Sequence, residues 1–235
     1  MFKLLFRHLF EFIYTAHFYP ELGAHFIQNI HTDFVNASKN AILAGFDGVE
    51  LHGANGYLLE QFLNPNVNTR EDEYGGNLIN RSRFTLEVTK AIAGAIGADK
   101  IGIRFSPFSE LSDQKGYNTD EVHQTYTYLS RELNKLDIAY IHISANPAIP
   151  EKTYKAIREA FSNTLIYCNG LTPESAEELL QNNTADLVGF GRGFLANPDF
   201  VSRLEKNAPL NDLDYNTLYS PGEQGYIDYP LYTSR

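Results

Sequence analysis

The sequence predicts an α/β fold built on a parallel sheet. Short apolar runs near residues 46, 101, 138, 165 and 186 alternate with longer segments whose apolar residues recur every three or four positions. Strands alternating with helices in this way pair in parallel. The runs also end in glycine or polar residues, as strands do where they leave a sheet at a ligand-facing rim. The chain has 235 residues, 43% of them apolar, enough for the core of such a domain.

Residues 1–21 are an aromatic-rich segment set apart from the domain read at 22–235. Lys3, Arg7, His8 and Glu11 interrupt its apolar run, so it reads neither as a secretory leader nor as a membrane span. It reads instead as a hydrophobic flap or a helix that packs on a partner. A helix is expected over 22–44, with Phe26, Ile30, Phe34, Ala37 and Ala41 on one stripe and Gly45 as its stop. The first strand, 46–51, follows at once. Val49 and Leu51 alternate with Glu50 and His52. Gly53 and Gly56 let the backbone turn, and His52, Asn55 and Tyr57 gather at the strand's exit.

Residues 53–80 form a long connection, a length that usually signals function or a lid. Arg70, Glu71, Asp72 and Glu73 crowd one point in it. It is either a solvated loop or one that its charges pin beside the site. A helix over 81–96 carries Phe84, Val88, Ile92 and Ile96. The strand 101–105 carries Arg104 near its end, where a charge needs a carboxylate partner or a ligand's anion or carbonyl. A helix over 120–136 is capped by Thr119 or Asp120. The strand 138–143 contains His142, read as a satisfied core histidine or a catalytic one.

A helix over 151–161 and a strand over 165–167 follow, ended by Cys168, Asn169 and Gly170. Pro173 and three glutamates suit the start of a helix over 173–181. A last strand, 186–188, ends in Gly189-Phe190-Gly191-Arg192-Gly193, before a short helix near 198–204. Five strands fit an open doubly wound sheet or part of a (β/α)₈ barrel, which needs eight. No GxGxxG follows the first strand. Asn169-Gly170 and Gly191-Arg192, at adjacent strand ends, offer amides and a cation to a phosphate. A formal net charge of −10 argues against a nucleic-acid partner. Cys168 is the only cysteine, so there is no disulfide framework or thiolate cluster, and no metal-ligand spacing is present.

Five stretches carry a family likeness: AGFDGVELHGANGYLLEQFLNP, NTREDEYGGNLINRSRF, GIRFSP, DLVGFGRGFLANPDFVSRL and GYIDYP. Together they resemble the old yellow enzymes, the FMN-dependent ene-reductases and NADPH dehydrogenases, from about residue 30 onward. The resemblance implies a (β/α)₈ TIM barrel, here a truncated one of about five βα units that lacks the first three strands. It implies FMN, reduced by NADPH or NADH, and hydride transfer to the activated C=C bond of an α,β-unsaturated carbonyl compound. His52 and Asn55 match the pair that hydrogen-bonds the substrate carbonyl, and Tyr57 matches the proton donor. Arg104, Asn169, Gly170, Gly191, Arg192 and Tyr219 match flavin-binding positions. The partner is then a small activated alkene, with no nucleic acid or membrane, and the expected location is cytoplasmic. The competing reading is a non-catalytic fragment or interaction module without stable flavin, self-associating through open sheet edges.

Overall fold

The computed structural model describes residues 24–110 and 116–233. The aromatic segment read at 1–21, and with it the domain boundary, lies outside the described residues. The first element, α1 (Ala24–Leu43), buries Ile27, Ile30, His31 and Ser38. The expected stripe shifts by about a residue, and Ala37 is exposed. Two polar residues hide the true face from a hydropathy pattern. Ser38 Oγ donates to the Phe34 carbonyl at 2.8 Å, and the His31 ring stacks on Phe84 at 5.3 Å.

The first strand, β1 (Val49–Gly53), lies two to three residues later than expected. The long connection then contains a short helix, α2 (Leu58–Leu63), which escapes a pattern search because Leu59, Glu60, Phe62 and Leu63 are all buried. Helix α3 (Leu78–Ile96) starts on Asn77, whose side chain accepts from the Ile79 and Asn80 amides. After a 3₁₀ turn come β2 (Ile101–Phe105) and α4 (Thr119–Leu136). The cap of α4 is Asn118, not Thr119 or Asp120, because its carbonyl oxygen takes the Asp120 and Glu121 amides. The chain continues through β3 (Tyr140–Ser144), α5 (Glu151–Ala160), β4 (Thr164–Cys168), α6 (Pro173–Gln181) and β5 (Leu187–Gly189). Two short helices, α7 (Arg192–Ala196) and α8 (Phe200–Glu205), stand where one was expected.

The strands pair in parallel in the order β1-β2-β3-β4-β5. A doubly wound sheet reverses its order at a switch point. This one does not, so it is an arc of a barrel. One face is apolar: Leu51, Ile103, Ile141, Ile143, Leu165 and Tyr167 are buried in the core cluster. Helix side chains meet it there, with Phe105 edge-on to Tyr126 of α4 at 5.4 Å and Tyr167 against Tyr154 of α5 at 5.1 Å. The other face carries Glu50, His52, Arg104, Tyr140, His142, Ile166 and Cys168, none of them fully buried. Gly102 belongs to this face. A Cβ there would lie 2.0 Å from the Tyr140 ring, so only glycine lets that ring cross β2 toward Glu50.

The connection between α2 and α3 is pinned, as the charge-based alternative expected. Asn68 Nδ2 donates to the Phe62 and Tyr74 carbonyls, each at 2.7 Å. Arg70 pairs with Asp72, and Tyr74 Oη donates to Glu87 at 2.9 Å. Arg81 ties both ends together and reaches across to Glu121. Further along, buried Arg203 donates to the Pro209 and Pro230 carbonyls, fastening the C-terminal stretch to α8.

The docking of α1 on α3 should depend on pH through His31. Burial lowers the pKa of His31 below 6.5, partly countered by Glu87, whose Oε2 lies 3.9 Å from Nε2. The unfolded chain therefore takes up this proton first, and the stability from neutral His31 is lost as pH falls below 6.5. The urea midpoint should drop between about pH 7 and about pH 5. His31→Gln should flatten the part of that slope this residue supplies. An identical slope in the variant would assign the drop to other groups.

Candidate functional site

The site begins at the exit of β1. Register places His52 opposite Arg104, and Arg104 opposite His142, across three strands. Asn55 adopts a left-handed backbone with φ of 56°, followed by Gly56 at 78°. That turn brings Tyr57 back over the strand, its ring 5.0 Å from that of His52. Tyr57 also occupies the N-cap position of α2. His52, Asn55 and Tyr57 thus share one rim, as the sequence suggested.

What holds this turn is Glu60, which the sequence reading passed over. It is 4% exposed. Its Oε2 accepts from the Gly56 amide at 2.6 Å, and its Oε1 accepts from Ser106 Oγ at 2.7 Å and Tyr126 Oη at 3.0 Å. Ser106 Oγ in turn accepts from the Asn55 amide at 2.7 Å. One carboxylate therefore fixes two consecutive backbone amides of the strained turn. Burial raises its pKa despite the three donors. The available signal was an acid inside the apolar run LLEQFL, where an unpaired charge would be costly.

The pKa of His52 is lowered from 6.5, first by burial and then by the Arg104 charge. Its ring is therefore neutral at physiological pH, an N–H donor rather than an acid. Arg104 donates from Nη2 to Cys168 Sγ at 3.4 Å, and its buried Nε has no hydrogen-bond partner among the described residues. Beside it, His142 Nδ1 donates to Glu50 Oε2 at 2.9 Å. His142 is thus a paired polar residue on the open face, which places it outside the apolar core.

At the ends of β4 and β5, Asn169 and Gly170 both have left-handed backbones. Arg192 Nη2 lies 3.4 Å from Asn169 Oδ1, joining the two strand ends. A Cβ on Gly170 or Gly191 would meet nothing within 4 Å, so the backbone is open to a ligand there. An unsatisfied arginine nitrogen, a second arginine and two bare glycines suit a large anionic ligand rich in acceptor oxygens. Tyr219 stands apart. It is 95% exposed, in a turn held by its amide's hydrogen bond to Tyr226 Oη at 2.8 Å. Among the described residues, no hydrogen bond links it to the rim. No helix among these residues is long and apolar enough to cross a membrane, and among them no group of three His, Cys, Asp or Glu side chains is placed to hold a metal ion.

Residues 11–211 match the family model described as NADH:flavin oxidoreductase / NADH oxidase. The chain belongs to this family. It is 43% identical over 212 residues to 12-oxophytodienoate reductase 2 of Arabidopsis thaliana, covering 87% of this chain and 56% of that protein. It is 44% identical over 214 residues to 12-oxophytodienoate reductase 1 of Oryza sativa subsp. japonica, with the same coverage. Among solved structures, morphinone reductase in complex with tetrahydroNAD superposes with a TM-score of 0.85 and 41% identity, over 90% of this chain and 58% of that one. The chain thus spans little more than half the length of these relatives. Its five βα units are an arc of the TIM barrel of the old yellow enzymes, in line with the order of its strands.

Proposed function

We propose that this chain carries the substrate and flavin-phosphate rim of an FMN-dependent ene-reductase that uses NADPH or NADH. One observation supports this most: His52, Asn55 and Tyr57 are held together at the exit of β1, beside Arg104. The names of the relatives, 12-oxophytodienoate reductase and morphinone reductase, support a carbonyl-bearing substrate.

In this reading Asn169, Gly170, Gly191 and Arg192 would hold the FMN phosphate, and Arg104, whose Nε has no partner among the described residues, would supply a donor to the flavin. Bound FMN would supply hydride to the β-carbon of the alkene. Neutral His52 and the side-chain NH₂ of Asn55 donate to the substrate's carbonyl oxygen, the Asn55 backbone amide being taken by Ser106. Negative charge grows there in the transition state, so these donors act as an oxyanion hole. Tyr57 then protonates the α-carbon. A phenol is a weak acid, which suits delivery of a proton to a basic enolate carbon. Tyr219 would join the flavin contacts only if its exposed turn folded inward.

The test is a visible spectrum of the purified chain after incubation with FMN and gel filtration. A flavin band that co-elutes near one equivalent is expected. A colourless chain would overturn the reading and leave the non-catalytic interaction module. On the loaded chain, Tyr57→Phe should spare flavin reduction by NADPH and slow alkene reduction roughly a hundredfold. Equal slowing of both half-reactions in stopped flow would remove Tyr57 from its role.

A further inference from the structure

We infer that Cys168, with His142, Glu50 and Arg104, forms a nucleophilic thiol site on the open sheet face, one that is alkylated by soft electrophiles such as activated alkenes. Nucleophile sites of this kind share a pattern: a nucleophile, a base that can take its proton, and a third group that orients the base. Here the carboxylate of Glu50 accepts from His142 Nδ1 at 2.9 Å and turns the other ring nitrogen away from itself. His142 lies opposite Ile166 in the β3–β4 register, and Cys168 is two residues further along the same face of β4. The imidazole therefore lies diagonal to the thiol on one face of neighbouring strands, near enough for their charges to couple.

Arg104 Nη2 approaches the sulfur at 3.4 Å from the other side. Two buried nitrogens at this point, Arg104 Nε and His142 Nε2, have no hydrogen-bond partner among the described residues. Spare donor capacity beside a sulfur favours the thiolate. The titratable groups facing the cluster are Glu50 and His52 of β1, Arg104 of β2, and Tyr140 and His142 of β3. β5 contributes only Leu187, Val188 and Gly189. Burial would raise the thiol's pKa, but His142 and Arg104 outweigh it and the net direction is downward. Burial likewise opposes the charge on His142, yet Cys168 and Glu50 push its pKa up to about 9. Cys168 is only partly buried, which leaves an approach for a small reagent from the open face.

The chemistry is an addition. Sulfur forms a bond to the β-carbon, the C=C π pair moves to the α-carbon, and that carbon takes the proton that His142 removed from the thiol. No oxidant or reductant is needed. An adduct here would sit beside Arg104 and the Asn169-Gly170 strand end, on the face the proposed ligands would use. The site stands without flavin, so its test is separate from that of the proposed function.

Folding stability is a poor readout, because a proton passed from thiol to imidazole leaves the pair's proton count near that of the unfolded chain. Alkylation is direct, since Cys168 is the chain's only cysteine. The intact chain, without flavin or nicotinamide, is treated with N-ethylmaleimide across a pH series, and adduct formation is followed by intact mass. The expected midpoint lies below that of the same thiol in the urea-denatured chain. His142→Asn should move the midpoint upward and cut the rate near neutral pH about fivefold. Glu50→Gln should do the same more weakly. A native midpoint equal to or above the denatured one overturns the proposal, and so does a folded His142→Asn variant with the wild-type profile. If His142→Asn fails to fold, the wild-type comparison of native and denatured midpoints decides alone.

Discussion

Arg81→Ala should lower stability by about 2–4 kcal/mol, the loss expected when a buried side chain is removed from several hydrogen-bond acceptors at once. The side chain is 1% exposed and uses three of its nitrogens. Nε donates to the Leu63 carbonyl at 2.8 Å, Nη1 to the Gly76 carbonyl, and Nη2 to Glu121 Oε1. These partners lie at the end of α2, just before α3, and on α4. No other described side chain holds all three segments. Alanine would leave the Leu63 and Gly76 carbonyls without their donor, and an orphaned buried carbonyl costs more than its bond was worth, while Glu121, a third exposed, would turn to water. Arg81→Lys should recover little, because one ammonium cannot serve three acceptors laid out for a planar guanidinium. Urea unfolding with an unchanged m-value would measure the loss. Native-state proteolysis should report new cleavage in the connection between α2 and α3. A loss below about 1 kcal/mol would show the pair to be a solvated ornament, whatever its burial.

Arg81 also shows where a sequence stops being legible. The run NTREDEYGGNLINRSRF offers four arginines and acids in a row and then two more arginines. Nothing local says which arginine is buried, because two of its three partners are 18 and 40 residues away. Periodic features fare better. The strands appear where alternation and β-branched residues put them, and Pro173 starts its helix at the expected residue. The rim of His52, Asn55 and Tyr57 was readable because all three sit within one glycine-bracketed turn. The pair of Glu50 with His142 was not, since 92 residues separate them and only the parallel register brings them together. Caps fall between these cases. Asn118, Thr119 and Asp120 are all good cap residues, and only the backbone geometry selects the first. The face of α1 was misplaced for a related reason. A buried serine bonds back to its own helix and a buried histidine stacks on Phe84, so the packed stripe is less apolar than the pattern presumes.

Glu60→Ala should cost about 3 kcal/mol and should loosen the rim more than the fold as a whole. The substitution removes the acceptor for the Gly56 amide, Ser106 Oγ and Tyr126 Oη together. Ser106 is then free to rotate, and the Asn55 amide loses the fixed oxygen that holds it. Asn55 is kept left-handed by those contacts, against a steric preference that costs about 1–3 kcal/mol in a non-glycine residue. Without them the turn should relax, carrying Tyr57 away from His52. Glu60→Gln separates charge from shape. Its amide still accepts at one oxygen, but its NH₂ must face at least one of the three donors, so the cost should be intermediate, about 1–2 kcal/mol. Urea unfolding would give the order wild type, Gln, Ala. Amide hydrogen exchange at Asn55 and Gly56 would show whether the damage is local, with protection lost there before the β2 and β3 amides change. If both variants exchanged like wild type at those two amides, the turn would be held by its own backbone. Glu60 would then be a buried acid tied to Tyr126 and Ser106 alone.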